Sequence, residues 1–120
     1  ALVAGFALIA ALHLADPDRL TARVNTERAA SGRRFDAGYN GSLSADAVPV
    51  LVDALPRLSA RDRCATAARI RRDWTWPSAV GGAGEAPGWR SWNLARARAW
   101  RSVSENWLAV SGATCPAGSR

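Results

Sequence analysis

The first fifteen residues, Ala1 to Ala15 (ALVAGFALIAALHLA), contain no Asp, Glu, Lys or Arg, and Asp16-Pro17-Asp18 ends the run. As an α-helix it is about 22 Å long at 1.5 Å per residue. A bilayer core about 30 Å thick calls for roughly 20 apolar residues. Two readings follow: an Ala-rich helix buried in a soluble core, or the C-terminal part of a transmembrane helix that begins upstream. The chain has no Met, and its apolar character is already complete at residue 1. We therefore expect a fragment of a longer reading frame. Small residues (Ala4, Gly5, Ala7, Ala10, Ala11) recur along the run, as on membrane helices that pack closely.

The remaining length of the 120-residue chain allows one domain of ordinary size. All 16 basic residues are Arg, which against 10 acidic residues gives a net charge of +6. That balance favours anionic neighbours such as lipid headgroups or nucleic acid. Cys64 and Cys115 are the two cysteines and His13 the single histidine. Two thiols without His support do not make a four-ligand zinc site, so no metal and no cofactor are expected. The cysteines form one disulfide if the segment is exported and remain separate thiols if it is cytoplasmic.

Beyond the run the pattern is helical throughout, with no alternating stretch long enough to call for a sheet. Asp16 is a suitable N-cap and Pro17 a suitable first residue for a helix to about Ala30, with Arg23 and Glu27 spaced for an i,i+4 pair. Arg33 to Leu43 reads as a loop anchored by Phe35 and Tyr39. Its Asn40-Gly41-Ser42 matches a glycosylation sequon that is easily met by chance. Ser44 or Asp46 opens a helix whose Val48, Leu51, Val52 and Leu55 form the clearest apolar stripe, and Pro56 helps end it. Ser59 and Asp62 resemble a capping box for a helix to Trp74 with a Cys64, Ala67, Ile70 and Trp74 face. Residues 75–88 read as a Gly/Pro-rich loop, in which Gly82 to Pro87 lacks the strand and last glycine of a dinucleotide site. A last helix from about Ser91 to Val110 aligns Trp92, Ala95, Ala99, Val103, Trp107 and Val110.

Catalysis is hard to build from these residues. Gly41-Ser42-Leu43-Ser44-Ala45 is not a nucleophile elbow, no second His can act as general base, and N-capping accounts for Asp16 and Asp18. The expectation is a non-enzyme. The Arg/Trp-rich stretch Trp89 to Arg101 could contact phosphates and stack on bases, but its helix-core spacing favours packing, with headgroup contact next.

Three stretches in order resemble a bacterial family of integral membrane proteins of unknown function (domain of unknown function 4173, or its relative 4153). Asp16-Pro17-Asp18-Arg19-Leu20-Thr21-Ala22-Arg23-Val24-Asn25 resembles the segment Asn-Pro-Asp-Ala-x-Ile-Ala-Arg-Tyr-Asn, which in that family follows the final hydrophobic span. Phe35-Asp36, Tyr39, Leu43-Ser44 and Asp46-Ala47-Val48-Pro49 resemble its next run. Trp89 to Ala99 resembles its closing Trp-Asn-x-Ser-Arg-x-Arg-Ala stretch. Asp16 for Asn, Val24 for Tyr and Ala95 for Ser depart from the pattern. The resemblance implies the C-terminal portion of a polytopic protein of the bacterial cell membrane, partnered by the bilayer and the upstream helices. It assigns no activity. Asp18, Arg23, Asn25, Asp46, Trp92, Asn93 and Arg96 are the polar cluster it marks, either as structural contacts at the membrane surface or as a ligand site.

The expected architecture is all-α: a truncated transmembrane helix (1–15), a four-helix juxtamembrane module (16–110) and a flexible tail (111–120). The expected role is a non-catalytic structural or interaction module. The alternatives are a basic nucleic-acid-binding domain and a part of a membrane sensor or enzyme whose site lies elsewhere. Arg19, Arg23, Arg28, Arg33 and Arg34 beside the run argue for a cytoplasmic module; the expectation nonetheless leans to the extracytoplasmic side.

Overall fold

A computed structural model describes residues 2–74 and 94–115, with the side chains of all of these except residues 12–15. Among them every regular element is helical: α1 (Leu2–Ala15), α2 (Pro17–Ala30), α3 (Ala37–Gly41), α4 (Val48–Ala54), α5 (Ala60–Trp74), α6 (Leu94–Glu105) and α7 (Trp107–Ser111). Short 3-10 turns, Ala45–Ala47 and Leu55–Arg57, extend α4 at both ends. The expected loop at 75–88, the start of the last helix at Ser91 and the far tail lie outside the described residues.

The core is built around α4. Its stripe is buried throughout: Val48, Leu51, Val52 and Leu55 are sealed against Ala22 of α2, Ala67 and Ile70 of α5, Ala99 and Val103 of α6 and Val110 of α7. Burying side chains of this size stabilises by about 1.5–3 kcal/mol each. The helices present Ala at many contacts, which lets them approach α4 closely while α4 supplies the volume.

α2 begins and ends where the caps call for it. The Asp16 carboxylate accepts the Arg19 N–H at 3.3 Å, and Gly32 follows the helix at φ 81°. α5 is opened by Ser59, whose Oγ accepts the Asp62 N–H at 3.1 Å and donates to the Asp62 carboxylate at 2.8 Å.

Three expectations need correction. The loop expected at 33–43 contains α3, because the Asp36 carboxylate accepts the Tyr39 N–H at 2.9 Å and starts a turn of helix. Tyr39, expected as an anchor, is half exposed, and the buried residue there is Asn40. The last helix breaks at Asn106, whose side-chain amide donates to the Ser102 carbonyl at 2.9 Å. The break turns Trp107 and Leu108 outward, at 37% and 87% exposure, while Val110 stays in the core. The segment after α7 returns to the domain: Ala113 packs on the core and Cys115 is bonded to Cys64 of α5.

α1 stands apart. Residues 2–11 are exposed on every side, with Leu2, Val3, Phe6, Leu8 and Ile9 between 55% and 82% accessible. The core-helix reading of this run does not describe the structure. Among the described residues no helix is long and apolar enough to cross a membrane.

α3 lies on α5 so closely that a Cβ built on Gly41 would sit 2.5 Å from Cγ of Arg69. Overpacking costs about 1–3 kcal/mol, more than the roughly 0.5–1 kcal/mol that Ala contributes over Gly in a helix. Gly41→Ala therefore destabilises by about 1 kcal/mol in urea unfolding, and adding Arg69→Ala reverses most of the packing loss. Equal destabilisation in the presence and absence of the Arg69 side chain would contradict this contact.

Candidate functional site

The polar residues marked by the sequence separate into three groups. Asp18 and Asn25, both on α2, tie that helix to the α3 region. The Asp18 carboxylate accepts the Ser44 N–H at 2.9 Å, and the Asn25 amide donates to Oδ1 of Asn40 at 3.0 Å. Asn40 is 2% exposed and also donates to the Asp36 carbonyl at 2.7 Å. A side chain sealed in this way cannot accept a glycan, so the sequon at Asn40 is structural. A buried amide left unpaired costs about 1–3 kcal/mol, which makes the Asn25–Asn40 pair a latch between segments fifteen residues apart.

Arg23 belongs to neither the latch nor a cleft. Its guanidinium meets Glu27 one turn on at 3.1 Å, with both side chains mostly exposed. Such a pair contributes about 0.3–0.5 kcal/mol. Arg96 sits over the Trp74 ring, 6.0 Å from its centroid. Trp74 in turn packs edge-on against Trp100 at 5.7 Å. Trp92 and Asn93 lie outside the described residues.

Asp46 forms the third group and opens onto the site with the most chemistry. The 3-10 turn Ala45–Ala47 sets it beside the α1–α2 joint and facing α6. The cleft there, of about 510 Å³, is lined by Asp16, Arg19, Asp46, Asp53, Arg98 and Arg101, with Glu105 at its end. Pro49 in the first turn of α4 also lines it. Asp16 reaches this position through a left-handed backbone, φ 45°, a conformation that Asp and Asn tolerate better than other side chains. Among the described residues, no three of His, Cys, Asp and Glu converge as a metal site would require.

Burial raises the Asp46 carboxyl above its ordinary 3.8, and the Asp16 carboxylate raises it further. Arg98 and Arg19 pull it down, and Asp18 adds a smaller upward push. Because the native value is the higher one, the ionised carboxylate opposes folding above the native pKa. This penalty disappears as pH falls through the window above 3.8. A carbon-detected NMR titration should place Asp46 above 3.8, lower in Asp16→Asn and higher in Arg98→Gln. An Asp46 value at or below 3.8 would contradict the burial of this group.

Sequence reasoning placed Asn40 in a loop and missed its burial, and it read Arg98 and Arg101 only as part of the Trp89 to Arg101 stretch, without their place in this cleft. The i,i+3 spacing of Arg98 and Arg101 places them on one side of α6, but nothing local identifies Asp46 and Asp16 as their neighbours.

Fold and site together define a small helical module with an apolar helix projecting from a mixed-charge cleft. The family model described as "Domain of unknown function (DUF4153)" matches residues 1–54. This match takes in α1, the joint, the Asp18 and Asn25 latch and the whole of α4. No curated protein and no solved structure matches the chain.

Proposed function

We infer that the chain is a non-catalytic structural and interaction module held at the surface of the bacterial cell membrane, as the C-terminal portion of a polytopic protein. The observation that carries this reading is α1. A helix apolar on every face is suited to a buried or lipid environment, and residues 2–11 of α1 are all exposed. The DUF4153 match over the same helix supports it, as does the resemblance of the Asp16 to Asn25 segment to one that follows a final span. In this reading the bilayer and the helices upstream cover α1, and the latch and the α4 core hold the module against the joint.

The Cys64–Cys115 bond favours the extracytoplasmic side, since thiols in the cytoplasm of ordinary bacteria are kept reduced. The Arg residues after α1 favour the opposite side, but that rule compares two flanks and only one is present. The nucleic-acid reading is weaker, because Trp74 and Trp100 are engaged with each other and Trp74 with Arg96. A sensor or enzyme with its site on upstream segments would use the module in the same supporting role.

Liposome flotation tests the attachment. The chain floats with vesicles, and Leu8→Arg with Ile9→Arg abolishes flotation while leaving the helical content of the module unchanged. A monodisperse chain that stays at the bottom of the gradient overturns the reading. On intact cells, a membrane-impermeant thiol reagent labels Cys64 or Cys115 after reduction; labelling only after lysis overturns the side.

A further inference from the structure

The cleft beside the α1–α2 joint holds both signs of charge without joining them. Among the described residues the ion pairs within 4.0 Å are Arg23–Glu27, Arg69–Asp73 and Arg72–Asp73. Arg19, Arg98 and Arg101 thus line the cleft together with Asp16, Asp46, Asp53 and Glu105 with no direct ion pair among them. Its volume, about 510 Å³, lies within the range of small-molecule sites, about 300–1,000 Å³. A simple anion would meet four carboxylates there and a simple cation three guanidiniums. A ligand carrying both charges satisfies both sets.

The position narrows the choice. Asp16 is the first residue after α1 and lines the cleft. If α1 lies in the bilayer, the cleft opens at the depth of the headgroups. We propose that the cleft binds the phosphoethanolamine headgroup of a membrane phospholipid, with the phosphodiester on Arg98 and Arg101 and the ammonium on Asp46 and Asp16. The inference rests on the membrane reading given above.

Arg forks pair with phosphate oxygens through charge-assisted hydrogen bonds. A primary ammonium offers three donors to the carboxylates, which the quaternary ammonium of phosphatidylcholine lacks. Burial, and next the repulsion of Asp16, raise the Asp46 pKa, and a cation set beside both carboxylates relieves that repulsion. Phosphatidylglycerol would bring a phosphate and neutral hydroxyls, but no cation for Asp46.

Native mass spectrometry provides the first test, on the chain released from nanodiscs holding equal amounts of phosphatidylethanolamine, phosphatidylcholine and phosphatidylglycerol. The ethanolamine lipid should be retained about tenfold over each of the others, as one charge-assisted contact would give. Arg98→Gln and Asp46→Asn should each remove the preference. The second test uses soluble probes read by amide NMR shifts. Glycerophosphoethanolamine should perturb the cleft residues, and Arg98→Gln should weaken both this probe and glycerol 3-phosphate. Asp46→Asn should weaken the first and strengthen the second, an opposition that a general loss of structure cannot produce.

Retention without preference, or a preference that survives both variants, overturns the headgroup site and leaves the membrane reading standing. Binding of the soluble probe by a chain that does not enter nanodiscs overturns the membrane reading and the lipid source together, and leaves the cleft a site for the free zwitterion.

Discussion

Replacing Cys115 by Ser lowers the stability of the module by about 4 kcal/mol, the loop-closure contribution expected for a bridge spanning 51 residues. The bond joins the buried Cys64 of α5, 4% exposed, to the segment after α7, across a Cα–Cα distance of 5.1 Å. It closes a loop that contains all of α6 and α7, two elements that share the core with α4. The side chain of Arg71 reinforces the closure by donating to the Val110 carbonyl. Urea unfolding with and without a reductant checks the value: the wild-type midpoint falls on reduction, and the Cys115→Ser midpoint does not move. A wild-type midpoint insensitive to reductant would mean that the bridge does not constrain the unfolded chain.

Leu51→Ala is the second large effect, with an expected loss of about 3 kcal/mol from within the 2–5 kcal/mol span of buried Leu truncations. Leu51 is 1% exposed at the centre of the α4 stripe, in a cluster with Val48, Ile70 and Ala22. The Ala residues around it cannot move in to fill the space, because their backbones are already held by helices packed on other sides. Leu108→Ala is the control: at 87% exposure it should change stability by less than about 0.5 kcal/mol. Equal effects in thermal or urea unfolding would show that α4 is not the organising helix.

Much of the helical order could be read from local chemistry. Asp16-Pro17 set the start of α2, Ser59 with Asp62 the start of α5, and the i, i+3, i+4, i+7 spacing from Val48 to Leu55 the core face. These are short-range signals, complete within one or two turns. What could not be read depended on partners distant in sequence. Asn40 is buried because Asn25 and the Asp36 carbonyl are there to meet its amide, and a turn-like Gly-Tyr-Asn-Gly does not reveal that. At Asn106 the Ser102 carbonyl accepts from both the backbone N–H and the side-chain amide, a local arrangement that periodicity alone cannot register. The cleft is less legible still, since Asp16, Asp46 and Arg98 come from three segments that only the fold brings together. The two cysteines left two outcomes open, and only the fold, which brings the segment after α7 to α5, places them within bonding distance.

The left-handed backbone at Asp16 has a mechanical consequence. α1 and α2 meet through this single residue, so its two torsion angles set the direction of the entire apolar helix. With 14 residues, α1 is a lever about 21 Å long at 1.5 Å per residue. A ten-degree change at the pivot would swing its far end by about 4 Å at that length. Asn, which stands at this place in the resembling motif, adopts the same conformation readily. A β-branched residue there would not, and because it precedes Pro17 it would be pushed to an extended backbone that re-aims α1. The tilt of the module against whatever surrounds α1 is thus governed by one residue, and that residue also forms part of the cleft wall.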